Sequence, residues 1–170
     1  AAIPALVALV VREVFDRLLF APLGLDDTSS YPQAPRSGRP AAPDTAIWAK
    51  DVVLQPDGAL RHQVPDGGIV STVSDQVRFL TALVDGSFFD DPDTWPRMQR
   101  RLARVFSPVD YGLGVMSYAP PRWMSPLFPV PRLVGHTGST ATWLFHCPEL
   151  GLVTAGTFDV AQPPLPFRFL

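Results

Sequence analysis

The run Leu133-Val134-Gly135-His136-Thr137-Gly138-Ser139 constrains the fold more than any other stretch, because two strand-like runs stand directly downstream of it. Trp143-Leu144-Phe145 and Leu152-Val153-Thr154-Ala155-Gly156-Thr157 are both rich in apolar and β-branched residues. Between them lie His146 to Gly151, with Pro148 and Gly151 as breakers. Strand formers punctuated in this way read as an antiparallel hairpin that continues the sheet entered by the first run. Small residues in that first run leave the backbone bare, so a ligand can lie along the strand while a ring nitrogen or hydroxyl reaches it. The pattern predicts a strand edge that carries function.

Upstream, Val7, Val11, Val14 and Leu18 recur at helical spacing and predict a core-facing helix over residues 5–20, ended by Pro22. Residues 26–43 are polar and proline-rich and read as a surface loop. Residues 47–54 and 59–64 read as two short strands around the turn Pro56-Asp57-Gly58. Ser71 or Thr72 caps a helix whose Val73, Val77, Leu80 and Val84 line one face and which Gly86 ends. A further helix is expected over residues 92–105. Asp90, Asp91 and Asp93 precede its start and Arg97, Arg100, Arg101 and Arg104 come after, the order that suits a helix dipole. Residues 111–118 read as one strand, and residues 119–132 as a proline-rich loop.

Composition removes several classes of function. With 170 residues and 46% hydrophobic side chains the chain is globular and of single-domain size, able to bury about 70% of its unfolded surface. A net charge of −2 and a pI near 5.9 give no electrostatic case for nucleic acid or an anionic membrane. The lone Cys147 excludes an internal disulfide framework and reads as a buried thiol. The apolar opening, residues 1–11, is too short to span a bilayer and has no basic start. Three histidines, His62, His136 and His146, lack H-x-H or H-x-x-x-H spacing, so neither a metal nor another cofactor is expected. No G-x-S-x-G elbow is present.

Four blocks, taken in order, resemble a known family. Phe20-Ala21-Pro22-Leu23-Gly24-Leu25-Asp26-Asp27-Thr28 is similar to its PLGM-x-x-T segment. Asp66-Gly67-Gly68-Ile69-Val70-Ser71-Thr72-Val73-Ser74-Asp75 is similar to its GG-hydrophobic-x-S-T-x-x-D segment. Tyr111-Gly112-Leu113-Gly114 comes next, and His136-Thr137-Gly138 resembles its third catalytic motif, K-T-G or H-x-G. The family is that of the penicillin-binding-protein-like serine hydrolases, which includes class C β-lactamases, D-alanyl-D-alanine carboxypeptidases and related esterases. One block alone would mean little, whereas four in order over roughly residues 10–160 are specific. The resemblance implies an α/β (α+β) fold of the β-lactamase/transpeptidase kind, an antiparallel sheet flanked by helices. It implies hydrolysis of a small-molecule or peptide ester or amide through an acyl-serine, in the cell envelope by family habit.

Two family motifs are absent. S-x-x-K is excluded because the one lysine, Lys50, has Ile47 three places before it, and Y-x-N is excluded because the chain contains no asparagine. The expectation is that residues 1–170 are the carboxy-terminal portion of one hydrolase domain, without its amino-terminal strands, helical lobe and carboxy-terminal helix. Its implied partner is the missing amino-terminal region. A catalytically dead relative serving as a binding or regulatory module, and an unrelated binding domain, are the alternatives. By resemblance, His136, Thr137 and Gly138 form the substrate strand, and the backbone N–H of Ser139 is one oxyanion donor. Histidine in place of lysine holds a carboxylate less firmly, which favours peptidase or esterase over β-lactamase chemistry. Gly67 and Gly68 belong to a loop near the pocket floor, and Tyr111 either packs or faces substrate. The family builds the rims of its site from long loops, such as the proline-rich residues 32–43 and 120–131. Where Ala141 stands the family often has glycine, and the added methyl is expected to tighten the strand.

Overall fold

The computed structural model describes residues 2–40, 46–54, 67–100, 103–124, 126–162 and 166, with side chains from residue 9 onward except Met124. The chain forms two compact units, Ala1–Phe79 with Asp159–Ala161 and Leu80–Phe158 with Gln162–Leu170.

In the first unit, helix α1 (Ala2–Phe15) runs into a wider π turn, Asp16–Phe20. Val11, Phe15 and Leu19 are half-buried at a spacing of four and Phe20 is buried, while Val14 and Leu18 are exposed, Leu18 to 65%. The inward stripe is thus rotated from the predicted Val11–Val14–Leu18 face; the side chain of Val7 lies outside the described residues. The apolar arc opposite Arg12, Glu13, Asp16 and Arg17 takes in residues 10, 11, 14, 15, 18 and 19, so spacing alone does not choose the buried stripe. The π turn adds a residue to the last turn and brings Phe20 inward, with its ring 6.1 Å from that of Phe15. Gly24 then takes the left-handed φ of +62° that closes a helix end.

Strand β1 (Ser29–Ser30) pairs antiparallel with β4 (Ile69–Val70). Residues 47–54 are a complete hairpin, β2 (Ile47–Ala49) and β3 (Val52–Leu54), rather than one strand. Lys50 and Asp51 break the apolar run, with Lys50 at φ +54°. The predicted strand 59–64 and its turn lie outside the described residues. Helix α2 (Val73–Val84) forms as predicted. Thr72 Oγ1 accepts from the N–H of Asp75 at 3.3 Å, and Gly86 at φ +79° stands just past its end. Val73, expected on the inward face, is exposed; Leu80, Ala82 and Leu83 are the buried apolar positions.

In the second unit α3 (Thr94–Met98) is much shorter than the helix predicted over 92–105. Residues 103–106 are strand instead: β5 (Ala103–Phe106) pairs with β6 (Val109–Tyr111), setting Arg104 opposite Asp110 in an ion pair. Val105 and Phe106 are strand formers, and Arg104 finds its counter-charge across the strand pair rather than along a helix. The predicted strand 111–118 is also two, because Gly112–Val115 turns the chain into β7 (Met116–Tyr118). Gly112 N–H donates to Val115 O at 2.8 Å, and Gly114 supplies φ +75°. Strands β8 (Leu133–Thr137), β9 (Thr142–Cys147) and β10 (Leu152–Thr157) complete a six-stranded antiparallel sheet ordered β10-β9-β8-β7-β6-β5. The β9–β10 hairpin is the one expected, with Gly151 at φ +60°. Val109, Tyr118, Leu133, Phe145 and Cys147 form the core on one face, with Met116, Val130 and Trp143 against it. The fold is the expected α+β class, antiparallel sheets with helices.

Candidate active site

Strand β8 lies between β7 and β9, but the two neighbours accompany it for different lengths. β7 pairs with Leu133, Val134 and Gly135 only, whereas β9 continues to His136 and Thr137. Among the described residues, His136 and Thr137 are therefore sheet-bonded on one side. At Gly135 the two strands leave no room for a side chain: a Cβ there would overlap the Leu144 carbonyl oxygen and stand 2.8 Å from Phe145 Cα. Past Thr137 the chain turns tightly into β9. Gly138 N–H donates to Thr142 O at 2.9 Å and Ala141 N–H to Gly138 O at 3.1 Å. A Cβ on Gly138 would overlap Thr142 Oγ1. Ala141 is in this turn rather than a strand, fully buried and at φ +56°, so its methyl sits in a conformation that glycine adopts more readily. Ser139 is exposed at the turn, and among the described residues no protein group accepts from its N–H.

Two groups hold the His136 ring. Nδ1 is 2.6 Å from the Thr137 carbonyl oxygen and Nε2 is 2.9 Å from the Tyr111 hydroxyl, with the two rings edge to face at 5.5 Å and 90°. Thr137 is buried, and its hydroxyl donates to Met116 Sδ at 3.8 Å, so it is committed to the sheet. The structure thus gathers Tyr111, His136, Gly138 and Ser139 at one end of β8. Neighbouring β9 is held by Trp143, whose Nε1–H donates to Thr154 Oγ1 at 3.2 Å and whose ring lies against Gly156 and Phe158. On β9 too, His146 is half-buried, and burial pushes its pKa below the ordinary imidazole value, against an opposing pull from Glu149. The proline-rich residues 119–132 leave β7 after Tyr118 and enter β8 at Leu133, the end of that strand pair away from His136.

Gly67 and Gly68 belong to the first unit. Gly68 is buried at φ +72°, and its carbonyl accepts from the N–H of Tyr31 at 2.8 Å, a backbone role beside β4. Sequence reasoning missed the network next to it. Asp75 Oδ2 accepts from the N–H of Asp27 at 2.9 Å and from Thr28 Oγ1 at 2.8 Å, and Thr28 shares a 2.7 Å hydrogen bond with Ser71. These residues close the PLGM-like and GG-x-S-T-x-x-D-like blocks, so the two blocks are bonded to each other. The available signal was Thr72-x-x-Asp75, a capping pattern.

The family model described as Beta-lactamase matches residues 10–168. The chain belongs to the beta-lactamase family. Among solved structures it is similar to a D-stereospecific amidohydrolase from Streptomyces sp., at 19% identity and TM-score 0.62, over 88% of this chain and 44% of that one. It is also similar to the D-amino acid amidase from Ochrobactrum anthropi SV3 complexed with D-phenylalanine, at 24% identity and TM-score 0.62, over 88% of this chain and 47% of that one. The same amidase complexed with L-phenylalanine amide gives 24% identity and TM-score 0.58, over 92% and 49%. The chain spans under half the length of these structures, and at such identities the likeness is one of fold. Among curated proteins there is no match.

Proposed function

We propose that this member of the beta-lactamase family carries the substrate-binding strand of a serine hydrolase that cleaves an ester or amide through an acyl-enzyme. The observation behind this is the end of β8: among the described residues, an edge sheet-bonded on one side, with the exposed Ser139, whose N–H no described group accepts, just past His136-Thr137-Gly138. Such an edge can pair with an extended substrate, and such an N–H can hold the charge that develops on a carbonyl oxygen. The names of the similar structures, amidases and an amidohydrolase of D-configured substrates, favour an amide.

These 170 residues contain no S-x-x-K serine, so the chain alone is expected to be inert. Incubated with a fluorophosphonate or a labelled penicillin, it should gain no mass; a label on any of its serines or threonines overturns the assignment. Titration with D-phenylalanine amide, monitored through the backbone amides, should shift residues 136–139. Shifts confined elsewhere would refute the strand's role. The absence of that lysine also favours a second reading, a catalytically dead relative that binds without turnover. Labelling that appears when an S-x-x-K-bearing segment of the same gene product is supplied separates the two.

A further inference from the structure

The two groups that hold His136 leave few ways to place the protons. A carbonyl oxygen only accepts, so the 2.6 Å contact to Thr137 O requires Nδ1 to carry a hydrogen. A neutral imidazole protonated at Nδ1 has a bare lone pair on Nε2, and the group 2.9 Å away is the hydroxyl of Tyr111. The phenol must then donate to the ring. We infer that Tyr111 is a positioning residue: it holds His136 as the Nδ1–H tautomer, and its own oxygen, with its proton turned inward, becomes the acceptor offered at the end of β8. The significance of that acceptor for substrate rests on the reading of β8 as the substrate strand; the tautomer itself does not.

The consequence is one of polarity. Neither ring nitrogen of neutral His136 has an N–H left to point outward, since one is spent on the backbone and the other accepts. A lysine at this position would offer three donors. The Tyr111–His136 pair instead offers oxygen lone pairs, so the group that meets it has to bring an N–H or O–H, and a carboxylate finds no donor there. The strand pairing sets residues 25 positions apart at the same end of the sheet: Tyr111 pairs with Met116, and Met116 with Gly135, the residue before His136. The edge-to-face rings fix the direction of the hydroxyl.

Long-range proton–nitrogen spectra of the imidazoles in the whole chain test this directly. At about pH 8.5 free imidazole is neutral. His136, assigned by loss of its signals in His136→Gln, should show a pyrrole-like Nδ1 and a pyridine-like Nε2. In Tyr111→Phe the Nε2 resonance should move as its donor is lost, and the Nε2–H tautomer should gain population. A wild-type His136 protonated at Nε2 overturns the inference. So does a Tyr111→Phe spectrum whose His136 nitrogens are unmoved in a folded protein. If that variant fails to fold, the wild-type tautomer alone decides. No step of this test requires turnover, so an inert chain leaves it intact, and failure here leaves the labelling test standing.

Discussion

Asp75 is 4% exposed, yet its carboxylate is satisfied by the N–H of Asp27 and the hydroxyl of Thr28, with Arg78 nearby at 3.7 Å. Removing it takes the acceptor from the part-buried N–H of Asp27 and leaves the buried Thr28 hydroxyl only Ser71, and a buried group short of a partner costs more than the bond itself was worth. Asp75→Ala should therefore lower stability by roughly 1–3 kcal/mol, read from the urea midpoint, with Asp75→Asn losing less because it keeps an acceptor. Equal losses in the two variants would mean that the carboxylate's bonds are not what holds the blocks together. Gly135 makes a contrasting demand, for no side chain at all. Gly135→Ala pushes a methyl into the Leu144 carbonyl and should cost about 1–3 kcal/mol or shift the β8–β9 register, seen as a lower thermal midpoint. His146 sets a dependence on pH. Burial lowers its folded pKa, so the unfolded chain binds the proton first as acid is added. The stability that goes with the neutral ring is whole above about 6.5 and is lost as the pH falls below it through the folded pKa. Between about pH 8 and pH 5 the urea midpoint should fall further in wild type than in His146→Gln. Parallel curves would show that His146 does not drive the change.

Among the elements, α2 depends on its start. Thr72→Ala removes the hydroxyl that accepts from the N–H of Asp75 and should cost about 1 kcal/mol, whereas Thr72→Ser should be nearly silent in the same melt. The cap was readable because a helix start has a local signature, and the β9–β10 hairpin was readable because Pro148 and Gly151 stand between two six-residue strands. Elsewhere most strands are only a few residues long, too short for alternation to separate a strand from a hairpin. Lys50-Asp51 inside 47–54 and Gly112-Leu113-Gly114 inside 111–118 are turns embedded in runs that look continuous. Arg97 to Arg104 matched a helix-dipole pattern, yet Arg104 answers to Asp110 across a strand pair, a partner that helical spacing does not reveal. The site divides in the same way. His136-Thr137-Gly138 was legible as a contiguous motif, but that Thr137 turns inward to Met116 and that Tyr111 reaches His136 depend on sheet register, which pairs residues distant in sequence.

For the molecule as a whole, what it leaves exposed governs how it behaves in solution. Val10, Val14 and Leu18 succeed one another at a spacing of four along α1 and its π turn, and are 52%, 44% and 65% exposed. Trp123 and Leu127, in the loop before β8, are 77% and 84% exposed. Scattered apolar side chains on a surface are ordinary, but a continuous helical stripe is the kind of patch that drives association. Purified alone, the chain should elute above its 18.6 kDa mass in size-exclusion chromatography and bind a hydrophobic dye. The stripe and the loop make different predictions for variants. If α1 is responsible, Val10→Glu, Val14→Lys and Leu18→Lys together should restore monomer elution and reduce dye binding, because these exposed positions can take charges without disturbing the half-buried Val11, Phe15 and Leu19. If the association persists in that triple variant and disappears in Trp123→Ser with Leu127→Ser, the loop is the adhesive surface. A wild-type chain that runs as a monomer, melts sharply and binds no dye would show that the α1 stripe is tolerated as ordinary surface, and would make a self-sufficient binding module the stronger of the two functional readings.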